Sequence, residues 1–358
     1  MARALAGQAG PPAAPGPPYV SVVVVAHARS TFLGDALASL ERQTLSRGRF
    51  EVILVKDLED AAWRPQIERL GATVRDVAPG PLGSWISELR PALRGELVAF
   101  LDDDDAYLPE KLEFACDAFA ANKVGVYYHH GVRPWDPPSG AGARGAPGRT
   151  PLSPPLRAVG PEEIRRQFRF WWRRGAAFNL SSIVVRRELL GVFPEALARI
   201  EVSLSAFLFY SAVAVGGTVL LEDRPLTRYR RAEGFSPRGP KPRSVRRIAS
   251  LARPRGADAE VLREMVRPLR DPALEGPLRA AIALAGIVRS LESGEGRRRL
   301  VAAALLDWTR GRSLPGILAE RAAALAALRF LVSPQWGRRY WDHARTRGPD
   351  GGGSPSGP

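Results

Sequence analysis

The feature that most limits how this chain can fold is a repeated change of hydrophobic period between residues 20 and 101. Strand-like segments at Val20–Val25, Phe50–Val55, Thr73–Val77 and Leu97–Leu101, all but the third strongly apolar, alternate with segments of helical period at Phe32–Gln43, Trp63–Leu70 and Ser84–Leu93. Runs of β-branched and apolar residues without polar alternation suit strands covered on both faces. Helical crossovers between such strands imply parallel pairing, so the expected class is α/β. Ligands of an open sheet of this kind gather at the carboxyl ends of its strands. Asp57 falls at one such end, and the run Asp102-Asp103-Asp104-Asp105 falls at another.

Four carboxylates where a buried strand runs out repel one another strongly unless something positive is near. An acidic entry to the helix beginning near Pro109 would account for one or two of them by its dipole, but not for four. The pattern therefore predicts a hard divalent cation serving a phosphate-bearing substrate.

Composition narrows the partners. With 358 residues and 45% hydrophobic content the chain can bury one large or two medium cores, which excludes a wholly disordered protein. Lys and Arg outnumber Asp and Glu by 52 to 37, a net charge of +15, which suits phosphates, anionic lipid or nucleic acid. No base-reading motif is present and the Arg-rich helices lack interleaved aromatics, so nucleic acid is set aside in favour of an anionic membrane surface. A single cysteine, Cys116, rules out an intrachain disulfide and a polythiolate zinc site, and fits a cytoplasmic setting.

The expected organisation is a disordered leader over 1–18, an α/β domain over 19–232, a basic linker over 233–256, a helical region over 257–344 and a disordered tail over 345–358. Pro134 to Pro155 is expected to be a mobile loop. Pro161 to Trp172 reads as a helix and Asn179 to Arg187 as a strand. Val202 to Leu221 carries no charge and approaches the length of a membrane span. The preferred reading is a helix to about Ala214, a turn at Gly216-Gly217 and a buried strand from Thr218 to Leu221.

Three segments, Val20 to Asp57, Arg94 to Leu112 (RGELVAFLDDDDAYLPEKL) and Asn179 to Glu188 (NLSSIVVRRE), resemble the GT-A glycosyltransferases of family 2. The resemblance implies a Rossmann-like mixed sheet flanked by helices, here with a C-terminal helical appendage. It also implies inverting, metal-dependent transfer of a hexose-type unit from a nucleotide-sugar donor to a glycan or lipid-linked acceptor, as in cell envelope polysaccharide synthesis. The setting would be cytoplasmic, with peripheral attachment at the inner face of the membrane. By the same resemblance Mg²⁺ or Mn²⁺ would bind at Asp102 and Asp104, Asp103 would lie near the ribose, and Asp57 and His27 would hold the nucleoside.

The chain departs from the family pattern at several places. Lys56 replaces an Asp before Asp57, Ala28 replaces an Asn, and Ile86 and Ser87 stand where an Arg-Asn element is expected. Basic partners for the diphosphate would then come from Arg29, Lys56, Arg228, Arg230 or Arg231. At the position of the catalytic base the resemblance places Ser205, which is no base at neutral pH. Glu201, four residues earlier, would share a helix face with it and is the candidate catalytic residue. Phe170, Trp171 and Trp172 could form a sugar platform or close the core. A transferase-like domain retained as a binding or scaffold module is the alternative.

Overall fold

A computed structural model describes residues 19–27, 31–135, 156–230, 235–236, 239–240, 242–293, 299, 301–302, 304–306 and 321–346. The leader, most of the 134–155 loop, Ala28, Arg29, Arg231 and nearly all of the tail lie outside the described residues. The chain divides into two compact units, Met1–Arg230 and Arg231–Pro358.

The first unit begins with β1 (Val20–Ala26), α1 (Leu33–Glu41), β2 (Phe50–Lys56), α2 (Arg64–Arg69), β3 (Thr73–Asp76), α3 (Leu82–Leu89) and β4 (Leu97–Asp102). It continues through β5 (Ala106–Tyr107), α4 (Lys111–Ala121), β6 (Gly125–Trp135), β7 (Arg157–Val159), α5 (Pro161–Arg166) and α6 (Phe168–Arg173). It closes with β8 (Ile183–Arg186), α7 (Pro194–Ala198), α8 (Leu204–Ala214) and β9 (Thr218–Arg230). The strand order is β3-β2-β1-β4-β8-β6-β9-β5, with β7 on β9. The first four are parallel, as the sequence predicts, and β8 enters antiparallel between β4 and β6.

Every residue of β1 is buried, which is why its sequence shows no polar alternation. Full burial of Val22, Val23 and Val24 contributes about 1.5–3 kcal/mol each. On one face of the sheet Leu33, Leu37 and Leu40 of α1 join Leu112 and Phe119 of α4 in the main core. α8 ends at Ala214, Gly216 takes a left-handed φ of 70°, and β9 starts at Thr218. The apolar stretch is thus a buried helix, a glycine turn and a strand. No helix among the described residues is long and apolar enough to cross a membrane.

Other expectations shift. Asn179 to Arg187 is a strand only from Ile183 to Arg186, preceded by a tight turn over Leu180–Ser182. Pro161 to Trp172 is two short helices meeting at Gln167. The long strand β6 has no clear sequence signal, because His129 and His130 interrupt its apolar pattern. It bends against β9 at Gly131, opposite Pro225, where a Cβ would meet the Asp223 carbonyl oxygen at 2.4 Å.

The second unit carries α9 (Pro242–Val266), α10 (Pro272–Ser293), α11 (Arg321–Val332) and α12 (Pro334–Thr346). The stretch expected to be a basic linker is therefore helical from Pro242 onward. Arginine is nearly as good a helix former as alanine, and proline is favoured at a helix start. Ala252 of α9 packs with Ile287, Val288, Leu291, Phe330 and Trp341 in a core of the unit's own.

Candidate active site

Sheet register brings the acidic strand ends together. Ala26 pairs with Lys56 and Val25 with Asp102, so His27, Asp57 and Asp103 leave the sheet side by side. The Asp57 amide donates to the Ala26 carbonyl at 3.3 Å, and the Asp103 amide to the Val25 carbonyl at 3.1 Å. His27 Nδ1 lies 2.5 Å from Asp57 Oδ2, with the imidazole 58% exposed and the carboxylate 4% exposed. The His27 ring also meets Trp85 of α3 edge-on at 5.6 Å. A buried carboxylate and an indole thus fix an imidazole that is open to solvent, a coupling the sequence did not reveal.

Lys56 turns away from that pair. Its Nζ bonds the Asp76 carboxylate and the Leu58 carbonyl (3.1 Å) and lies 3.5 Å from Asp60. Burial pulls its pKa down, but Asp76 and Asp60 outweigh burial and hold it above the usual lysine value. Lys56 is engaged by these two carboxylates. Around it an open cleft of about 770 Å³ is lined by Asp57, Asp60, Arg64, Asp76 and Val77.

The four aspartates are not equivalent. Asp102 is half-buried, and burial, then Asp105, Asp104 and Asp103, push its carboxyl well above the usual range, with Lys111 opposing. Asp104 is half-buried and Asp103 more deeply placed. Asp105 is 1% exposed, accepting from Asn179 Nδ2 at 2.8 Å on one oxygen and from the Arg230 amide at 3.0 Å on the other. Burial raises it to about 6 against the hydrogen bonds from Asn179, Ser181 and Arg230. Both of its oxygens are thus engaged by the fold.

Several supporting residues were legible only in part. Lys111, fully buried at the start of α4, donates to the Ser181 carbonyl and sits 3.3 Å from the centre of the Tyr107 ring. Burial depresses its pKa well below the usual value, while Asp105 and Asp102 oppose. Ser181 Oγ accepts from the Asp102 amide at 2.9 Å, and Thr227 donates to the Ser181 carbonyl at 2.9 Å. Asn179 holds a left-handed φ of 63°, secured by its bond to Asp105. Arg230 is buried too, with its guanidinium donating to Asp35 (2.7 Å) and to the Asp104 carbonyl (3.1 Å) and stacking 3.9 Å from Phe32. Of the arginines considered for the diphosphate, Arg228 is exposed at the rim, paired in register with Ala106.

Among the described residues no three His, Cys, Asp or Glu side chains converge to hold a metal by themselves. The oxygen donors present nevertheless suit Mg²⁺ or Mn²⁺. Such ions take one or two carboxylates and complete their shell from phosphate and water. Asp102 and Asp104 fit a site of that shared kind and not an all-protein cage.

Glu201 lies in a bend, exposed, and α8 begins only at Leu204. The helical face that Glu201 and Ser205 were expected to share is therefore absent, because the helix starts between them. The Glu201 carbonyl accepts from the Leu82 amide at 3.1 Å, tying this bend to α3, the helix that carries Trp85. Of the aromatic trio, Trp171 is buried, Trp172 packs on Phe168 and Tyr210, and Phe170 is 49% exposed. Trp171 and Trp172 close the core.

A mixed α/β sheet with acidic strand ends of this design is the GT-A architecture, here followed by helices. Residues 21–176 match the family model described as glycosyl transferase family 2. No curated protein sequence matches. Among solved structures, S. aureus TarS is 14% identical with a TM-score of 0.49, covering 91% of this chain and 54% of TarS. The chain thus spans about half the length of that protein. TarS 1–349 in complex with UDP-GlcNAc is 15% identical (TM-score 0.46, 91% of this chain, 90% of that one). The mannosyltransferase PcManGT from Pyrobaculum calidifontis, in complex with GDP-Man and Mn²⁺, is 16% identical (TM-score 0.44, 96% and 92%).

Proposed function

We propose that the first unit moves a sugar from a nucleotide diphosphate donor to a glycan or lipid-linked acceptor, with inversion. The observation that carries this reading is the convergence of His27, Asp57 and Asp102 to Asp104 at the ends of β1, β2 and β4. His27 and Asp57 would hold the nucleoside, Asp103 the ribose, and Asp102 and Asp104 would hold Mg²⁺ or Mn²⁺. That ion, when bound, neutralises charge gathering on a departing nucleoside diphosphate. Glu201 would accept the proton of the acceptor hydroxyl as its oxygen attacks the anomeric carbon from the side opposite the diphosphate. The net charge of +15 supports a cytoplasmic protein held at an anionic inner membrane face, where lipid-linked or cell-envelope acceptors are presented.

Calorimetry with UDP and GDP in the presence of Mn²⁺ tests the donor half. Binding of at least one nucleotide is expected, weakened about tenfold or more in Asp104→Ala. Equal affinity in the variant rejects the metal assignment. A second reading, a binding or scaffold module without transfer, draws on Ser205 at the base position and on Glu201 standing outside α8. Sugar transfer or donor hydrolysis that disappears in Glu201→Gln would eliminate it.

A further inference from the structure

The rim beside the aspartates carries an exposed aromatic surface that the donor assignments leave unused. Phe178 is 48% exposed, and its ring meets that of Tyr229 edge-on at 5.3 Å. Neither ring is placed there by chance packing. Both oxygens of the buried Asp105 bind the immediate neighbours of this pair: Asn179, next to Phe178, and the amide of Arg230, next to Tyr229. The left-handed backbone at Asn179 turns the chain just after Phe178, and the Phe178 carbonyl is engaged by His129 Nε2 at 3.0 Å. One carboxylate of the run thus clamps two segments far apart in sequence, each next to one of the two rings that meet.

A rigid aromatic pair with Phe178 exposed and Tyr229 half-buried presents apolar surface with few rotamers to lose, which suits the C–H face of a pyranose ring. The attacking hydroxyl of an acceptor must also sit near the donor, and the clamp ties the pair to Asp105, the last residue of the acidic run. We propose that Phe178 and Tyr229 form the platform on which a sugar ring of the acceptor stacks, with Asp105 as the positioning residue that sets it against the donor aspartates. This rests on the transferase reading above and assigns that site the class of its acceptor: a glycan whose terminal residue is a pyranose.

The test is saturation-transfer NMR on the full chain, with methyl glycosides of glucose, mannose and N-acetylglucosamine as probes. Ring C–H protons of at least one glycoside should receive saturation from the wild-type protein. Phe178→Leu and Tyr229→Leu, which keep apolar bulk but remove the ring, should each weaken that signal about fivefold, the size of one aromatic contact. Phe178→Trp should retain it, and so should Phe170→Leu, which removes an exposed ring that Asp105 does not hold. No signal from the wild type, an unchanged signal in both leucine variants, or a loss in Phe170→Leu would overturn the platform. UDP and GDP titrations with Mn²⁺ run in parallel separate the two claims. Nucleotide binding without glycoside contact removes the platform alone, whereas glycoside contact without nucleotide binding removes the transferase reading and with it the acceptor role, leaving only a sugar-binding surface.

Discussion

The end of β4 and the approach to α8 show how differently two parts of one domain can be built. At β4 the aspartates are wired into the fold: Asp102 through its amide to Ser181, Asp105 to Asn179 and Arg230, and the Asp104 carbonyl to the Arg230 guanidinium. Ahead of α8, Glu201 is an exposed side chain on a bend, and Ser205 lies in the first turn of the helix. The contrast teaches that preorganisation is concentrated where charge must be held before any ligand arrives. Carboxylates crowded at a strand end need neighbours to tolerate them, whereas an exposed carboxylate keeps its contact with water.

The sharpest way to break that contrast is to remove the wiring. Lys111→Met keeps the stem but leaves Asp102 and Asp105 without the buried cation beneath them, and urea unfolding should show a loss of about 3–5 kcal/mol. No loss would mean that the run does not depend on its supports. Next in size, Glu201→Gln should lower kcat about 100-fold or more with donor affinity retained, because only proton removal is lost. Ser205→Ala should leave kcat as it was. A full rate in Glu201→Gln would place the base elsewhere.

A smaller effect concerns the histidines behind the run. Burial holds His129 at about 4, below its ordinary 6.5, and also depresses His130 well below that ordinary value. Both are neutral in the folded state and free to take a proton once unfolded. Their contribution is fully present above pH 6.5 and is lost as pH falls from there through about 4. Thermal melts between pH 7 and 4.5 should show stability falling by up to about 1.4 kcal/mol per pH unit for each histidine, and a shallower slope in His130→Gln. The smallest effect is a silence. Cys116, 2% exposed, has its thiol pushed up to about 11 by burial, so iodoacetamide at neutral pH should label it only as fast as the domain unfolds.

Much of the first unit was legible because its information is local. The strands β1, β2 and β4 announce themselves by β-branched runs, the end of α8 by Gly216-Gly217, and the site by acids placed after apolar residues. β6 was not legible, since His130 is fully buried there and only its neighbours make that possible. The helix from Pro242 was read as a linker because its charge was conspicuous and its thin apolar stripe was not.

The sequence by itself determined that acidic groups would stand at the carboxyl ends of parallel strands, because hydrophobic period and residue order dictate both. Only the tertiary structure decided what each acid does. Whether a carboxylate faces a ligand or braces the backbone depends on partners contributed from distant parts of the chain. Asp57 became the partner of His27, and Asp105 became a clamp between Asn179 and Arg230. Lys56 was drawn away to Asp76. Those pairings arise from register and burial, which no run of neighbouring residues specifies.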